Sequence, residues 1–102
     1  MLFNVVVSEP ANEDTIAAYN YYEDKKSGLG ELFLSNLQSH YHQLAQQPAA
    51  NSLIAEDPHQ ILRDVRIKKF SYVVVYEIQK KEVIIYAIHN THKHPRNKLR
   101  KV

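Results

Sequence analysis

The chain has 102 residues, which is the size of one small domain, and 44% hydrophobic and 24% charged residues, the composition of an ordinary globular protein. It contains no cysteine, which excludes disulfides, thiolate metal sites and a cysteine nucleophile and favours a reducing, cytoplasmic location. Residues 1–60 carry two lysines against eight acidic residues, a net −6, whereas residues 61–102 carry eleven basic against three acidic residues, a net +8. Such a basic half, with tyrosines between its charges, is typical of a surface that binds a polyanion or an acidic protein segment, although segregated solubilising charge gives the same pattern.

The first half of the chain predicts a strand followed by two helices. Residues 2–7 form a short β-branched run, too short for a membrane span and without the basic region of a signal peptide. Ser8 is a capping residue and Pro10 falls in the first turn, so a helix begins there. Glycines interrupt it, and a second helix begins at about Leu29 and ends before Pro48. These signals predict a helical hairpin over about 9–47.

The second half changes to a period of two, which predicts three strands. Residues 60–70 alternate apolar and basic side chains, as expected for a strand with one buried and one basic face. Two nearly continuous apolar runs, 72–79 and 82–89, are separated by a short polar connection and form a hairpin of central strands. We therefore predict one α+β domain over 1–102, in the order β-α-α-β-β-β. Its helical hairpin packs on a mostly antiparallel four-stranded sheet, and a basic tail covers 95–102.

Three histidines lie close together after the last predicted strand. His92 and His94 alternate as they would on an extended segment, and His89 could join them if the backbone turned. However, the segment contains neither a cysteine nor a nearby carboxylate, and Lys93 lies between two of the histidines. We therefore predict no metal site here. No glycine-rich loop for nucleotide phosphates is present, and we expect no cofactor.

Three stretches together resemble one protein family, the RelE/ParE superfamily of bacterial type II toxins. The stretch SEPANEDTIAAYNYYEDKKSGLGELFLSNL is similar to the family's opening helical hairpin. The stretches RDVRIKKFSYVVVYEI and VIIYAIHNTHKHP resemble its basic, tyrosine-rich strand and its last strand with a basic exit. The resemblance covers almost the whole chain and rests on the order and spacing of the three stretches.

The resemblance implies a cytoplasmic growth-arresting toxin that a cognate antitoxin neutralises, with an acidic antitoxin segment on the basic face and a toxin–antitoxin hetero-oligomer as the inactive form. No membrane partner is implied. Some members cleave messenger RNA on the ribosome, whereas others poison DNA gyrase without catalysis, and the fold does not distinguish them. Our first hypothesis is ribosome-dependent mRNA cleavage. The alternatives are a non-enzymatic gyrase inhibitor and a degenerate toxin that only binds its antitoxin.

The nuclease hypothesis needs groups that transfer protons and cations that stabilise the phosphate. Arg66 and Lys68 share one face of the predicted strand, so they can approach the same phosphate, whereas Arg63 and Lys69 point with the other set. The candidate catalytic residues are Arg66, Lys68, His92 and Lys93. The candidate RNA- or phosphate-binding residues are Arg63, Lys69, Arg96, Lys98 and Arg100.

The chain departs from the pattern of the ribosome-dependent members at three positions. Val73 follows Tyr72 where those members commonly carry an arginine. At the strand exit, Asn90 and Lys93 occupy positions where members often have histidine and arginine. Lysine keeps the charge but lacks the bidentate fork of arginine, so His89 and His92 become the candidate substitutes for proton transfer.

Overall fold

The computed structural model describes residues 2–92, so the predicted basic tail, 95–102, lies outside the described residues. The elements are β1 (Asn4–Val7), α1 (Glu9–Lys25), α2 (Leu29–Gln46), a short 3-10 helix (Pro48–Ala50), β2 (Leu62–Arg66), β3 (Tyr72–Gln79) and β4 (Glu82–Asn90). The predicted order of strands and helices is therefore confirmed. Across residues 2–92, neither helix is both long enough and apolar enough to span a bilayer.

The four strands form one sheet in the order β1-β4-β3-β2. β1 runs parallel to β4, and the other two pairs are antiparallel, which confirms a mostly antiparallel sheet with β3 and β4 at its centre. The register of β3 and β4 shifts between Val75 and Tyr76, so β4 contains one extra residue at a bulge. β1 ends before this bulge, and side chains of the following segment bind the backbone groups of β4 beyond it. Ser8 Oγ donates to the Tyr86 carbonyl (3.2 Å), and Asp14 Oδ2 accepts from the Ile88 amide (3.0 Å).

The helical hairpin follows the predicted capping chemistry. Ser8 is the N-cap of α1 and its hydroxyl accepts from the Ala11 amide at 3.3 Å. Gly28, with φ of 89°, is in the left-handed region and lies between the helices. Glu23 Oε1 accepts from the amides of Gly28 and Gly30, both at 2.9 Å, so one carboxylate closes the hairpin by satisfying free N–H groups at the start of α2.

The main core lies between the hairpin and one face of the sheet. α2 contributes an apolar stripe to this core, in which Phe33, Leu37 and Leu44 are buried. Tyr22 and Phe33 stack with Phe70 and Tyr72, and the ring centroids of Phe33 and Phe70 lie 5.2 Å apart, edge to face. A smaller apolar cluster covers part of the other sheet face: Ile54, Leu62, Val75 and Ala87.

β2 is shorter than predicted, because it spans Leu62–Arg66 and not 60–70. Ile61, which falls within the predicted strand, is 47% exposed, since the chain before β2 is still a loop. This loop is organised by the buried carboxylate of Asp57, which accepts from the amides of Ile61 (2.8 Å), Leu62 (2.9 Å) and His59 (3.1 Å). The carboxylate therefore fixes where β2 begins.

Candidate functional site at the exit end of the sheet

Four of the predicted site residues, Arg66, Lys68, Lys69 and His92, lie at one end of the sheet. We call this the exit end, and it comprises Arg66, the turn 67–71 and residues 89–92. The strand register places Arg66 opposite Val73 and Val73 opposite His89, so these three side chains form one row. The row lies on the face that the helices do not cover, because Tyr72 and Val74 point into the main core. Neighbouring strands are about 4.8 Å apart, which puts the Cα atoms of Arg66 and His89 about 10 Å apart.

The turn 67–71 does not continue the strand, and this corrects the predicted placement of Lys68. Ile67 and Phe70 are buried and anchor the turn in the core, while Lys69 has φ of 71°. The backbone of Lys68 is bonded to α2 on both sides: its amide donates to His40 Nε2 (3.2 Å), and its carbonyl accepts from Asn36 Nδ2 (2.9 Å). Alternation along β2 therefore ends at Arg66 and does not place Lys68 beside it.

His40 contributes to this turn as a neutral hydrogen-bond acceptor. Burial lowers the pKa of its imidazole from the ordinary value, because desolvation disfavours the charged ring. The neutral ring keeps a lone pair on Nε2 for the Lys68 amide. No local sequence pattern indicates this role, since His40 is 28 positions away from Lys68 along the chain.

The exit of β4 is tied to the same turn by Ser71. Asn90 Oδ1 accepts from the His92 amide (2.9 Å), which makes an Asx-type turn. The His92 Nε2 atom lies 2.8 Å from Ser71 Oγ, and the Thr91 amide donates to the Ser71 carbonyl (2.8 Å). Asn90 therefore shapes the exit, and Ser71 positions the imidazole that the sequence singled out.

Of the predicted binding residues that the structure describes, Lys69 lies at the exit end and Arg63 does not. The Arg63 guanidinium donates to the carbonyls of Asn51 and Ala49, where it supports the loop after α2. Lys69 is exposed on the turn. Four of the predicted residues lie outside the described residues: Lys93, Arg96, Lys98 and Arg100. Of the predicted cations, only Arg66 is thus placed by the described part of the chain on the open face of a strand at this end.

The strand tyrosines are poor candidates for a general base. Tyr86 donates its hydroxyl hydrogen to Glu77 Oε1 (2.6 Å), and this bond, together with burial, raises the pKa of Tyr86 to about 12. Burial also raises the pKa of Tyr72 and Tyr76 above the ordinary value. All three phenols therefore keep their protons near neutral pH, where they can donate but not accept a proton from a nucleophile.

Two further features concern ligands. Between residues 2 and 92, no three histidine or carboxylate side chains are grouped as a metal site requires. A cavity of about 370 Å³ lies on the helix side of β2. Its lining includes His40, Gln43, Gln47, Asn51 and Val65, with neither a lysine nor an arginine, so it does not suit a phosphate group.

Comparison with known proteins assigns this arrangement to a family. The family model of the ParE toxin of the type II toxin–antitoxin system parDE matches residues 5–95. The chain belongs to the ParE toxin family. This ParE-family chain is therefore the toxin component of a type II toxin–antitoxin system, and an antitoxin is its partner.

A solved structure shares the fold of this chain. The chromosomal ParDE toxin–antitoxin system from P. aeruginosa contains a chain with a TM-score of 0.65 to this ParE-family toxin. The two chains share 17% sequence identity, and the match covers 87% of this chain and 96% of the other. At this identity the likeness concerns the fold. A search of curated proteins found no match.

Proposed function

We propose that this ParE-family toxin arrests growth by binding DNA gyrase through the exit end of its sheet, without catalysing a reaction of its own. The observation that carries the proposal is the shape of the turn 67–71. Because β2 ends at Arg66 and the backbone of Lys68 is bound to α2, strand alternation no longer puts Lys68 on one face with Arg66, as the nuclease hypothesis requires of β2. The family assignment supports the same choice, since the resemblance that includes ParE implies gyrase poisoning as one of its two mechanisms.

Arg66 is the residue with which this toxin would contact its target. It is exposed on the open face, at the end of β2, and beside the buried Tyr72 and Phe70 that hold the turn rigid. A fixed backbone presents its guanidinium without further ordering of the chain, so little conformational entropy is lost on binding. A carboxylate or a phosphate group fits the planar fork of arginine.

The first test uses purified gyrase and a charge reversal. We expect the toxin to inhibit supercoiling and to raise the amount of cleaved DNA, and we expect Arg66→Glu to weaken inhibition at least about tenfold, or about 1.4 kcal/mol, because a repulsive charge replaces an attractive one. Lys81→Glu is the matched control, since it makes the same charge change at the β3–β4 turn, the opposite end of the sheet. Equal loss in both variants would show a general charge effect and would contradict a site at Arg66.

Messenger RNA cleavage is the second candidate, and one observation favours it. The His92 imidazole is held by Ser71 at the same end of the sheet as Arg66, which supplies one group for proton transfer and one cation. In that case Arg66, Lys68, His92 and Lys93 would be the catalytic set. Mapping transcript ends after induction decides between the two: new ends at ribosome-bound codons, with intact supercoiling activity, would refute the gyrase proposal.

A third outcome is also informative. If the induced protein neither changes DNA topology nor cuts transcripts, but still binds its antitoxin, the chain is a degenerate toxin that has kept only that partner. Antitoxin binding is measured separately by titration with the purified cognate protein. An acidic antitoxin segment would be attracted to the basic half of the chain by its net charge of +8 over residues 61–102.

A further inference from the structure

β1 forms an edge of the sheet and has an unusual composition for such a position. Its sequence, NVVV, contains no charged residue and no proline. Val6 and Val7 are 38% and 39% exposed, although they lie in a strand. Edge strands normally carry lysine, proline or a bulge that prevents pairing with another chain, so an uncharged valine edge is a template for strand addition.

The hydrogen-bond directions show which groups of β1 point outward. Asn4 donates its amide to the Lys81 carbonyl (2.8 Å) and Ser8 donates to the Ile85 carbonyl (3.0 Å), so the even-numbered residues bond to β4. Alternation then directs the N–H and C=O groups of Val5 and Val7 away from the sheet. In the part of the chain that the structure describes, no strand lies beyond β1. The open stretch stops at Phe3, whose amide is bound by the Ala45 carbonyl of α2.

We infer that the occupant of this edge is β1 of a second copy of the chain, paired antiparallel about a twofold axis at Val6. The sequence N-V-V-V-S over 4–8 is self-complementary about that residue: Val5 faces Val7 of the second copy, and Asn4 faces Ser8. The outward groups of Val5 and Val7 then exchange hydrogen bonds in both directions. In any other register the valines of the two copies are not opposite one another, or the pairing extends to Phe3, where α2 binds the backbone.

The uncovered sheet face adds apolar contact to this pairing. Val6 lies beside Ile84 on the face opposite the helices, because Val5 packs into the main core. Two copies joined at Val6 therefore form a continuous row, Ile84–Val6–Val6–Ile84, across the joined sheet. Cross-strand pairs of β-branched residues stabilise sheets, so the row supplies a contribution besides the backbone bonds.

The dimer leaves the exit end free. β1 and β2 are opposite edges of the sheet, so joining two β1 strands places both copies of Arg66 towards the outer edges of an eight-stranded sheet. The inference does not depend on which target the toxin binds.

The absence of cysteine makes a direct test available. In the proposed register the two Val6 residues form a non-hydrogen-bonded antiparallel pair, with Cα atoms about 4.5 Å apart, which is within the range of a disulfide. We expect the full-length Val6→Cys variant, made by cell-free synthesis, to form a covalent dimer under mild oxidation at least tenfold faster than Ile16→Cys. Ile16 is a matched control because it is an exposed apolar residue on α1, away from the edge.

A second variant measures the same contact without a covalent bond. Sedimentation of the wild-type chain over a concentration series should show a monomer–dimer equilibrium. Val6→Lys should raise the dissociation constant of the dimer at least tenfold, with an unchanged circular dichroism spectrum. The inference is overturned if the wild-type chain stays monomeric at all concentrations and Val6→Cys oxidises no faster than Ile16→Cys. If Val6→Lys instead leaves the chain monomeric as before and lowers affinity for the antitoxin, the edge belongs to an antitoxin strand and not to a second copy.

Discussion

At the scale of single residues, the chain uses a few polar side chains to fix its loops. Glu23 satisfies the first amides of α2, Asp57 satisfies the amides that precede β2, and Asn90 forms the turn after β4. Each of them binds backbone N–H groups that no helix or strand would satisfy, and so each selects one loop conformation.

Asp57 gives the first prediction, which concerns pH. The Leu62 amide is the largest cause that holds the pKa of this carboxyl below its ordinary value, and the amides of Ile61 and His59 add to it while burial opposes them. A pKa that is lower in the folded than in the unfolded chain stabilises the fold above the unfolded value of about 3.9, and this stabilisation is lost as the pH falls through the folded value.

We therefore expect Asp57→Asn to lower the free energy of unfolding at pH 7 and to lose most of this disadvantage in strongly acidic solution. Urea unfolding at pH 7 and at a series of lower pH values measures the difference. Glu56→Gln is the control, because Glu56 is the exposed neighbour of Asp57 and this variant also replaces a carboxylate by an amide. A difference between Asp57→Asn and wild type that does not shrink as the pH falls would contradict the role given to the charged carboxylate.

At the scale of elements, α1 and α2 approach each other closely at Gly30. A Cβ atom there would lie 2.7 Å from Glu23 Cγ, 2.8 Å from the Tyr19 carbonyl oxygen and 2.9 Å from Tyr19 Cδ2. The backbone oxygen cannot move aside without moving α1. Because Glu23 is also the residue that closes the hairpin, a wider separation would weaken its bonds to the start of α2.

We predict that Gly30→Ala destabilises the fold by about 1–3 kcal/mol, the usual cost of overpacking. Gly28→Asn is the control, since asparagine tolerates the left-handed region and nothing lies within 4 Å of a Cβ atom at that position. Thermal unfolding of both variants gives the comparison. Equal midpoints for Gly30→Ala and wild type would show that the two helices separate without cost.

At the scale of the whole molecule, charge is divided between the acidic hairpin and the basic later half. The exit end lies in the basic half. An antitoxin segment that neutralises it would be drawn by long-range attraction, which salt screens over a Debye length of about 10 Å at 0.1 M ionic strength.

We expect the association rate with the cognate antitoxin to fall at least about tenfold between low and high ionic strength, while the dissociation rate changes less. Stopped-flow mixing measures both rates. An association rate that is independent of salt would argue that the division of charge only aids solubility.

Much of the site could not be predicted, because it depends on contacts between distant parts of the chain. The alternation of side chains predicted from the sequence is correct along β2 as far as Arg66, because hydrogen bonds to β3 keep this segment extended. It fails at Lys68, because Asn36 and His40 of α2 bind the backbone there. The sequence predicts His92 as a candidate, but no local pattern indicates that Ser71 is its partner, because the two residues are 21 positions apart.

The sequence by itself determined the number and order of elements, the helical hairpin with its Ser8 cap and its glycine break, the two central strands and the family resemblance. These features follow from local propensity and hydrophobic period, which are written within short windows of the chain. The tertiary structure alone decided that Arg63 supports a loop, that Lys68 leaves the strand and that β1 is an open valine edge. Each of these depends on which segments meet in space. The packing of α2 against the sheet fixes the roles of Arg63 and Lys68, and the position of β1 beside β4 leaves the valine edge open.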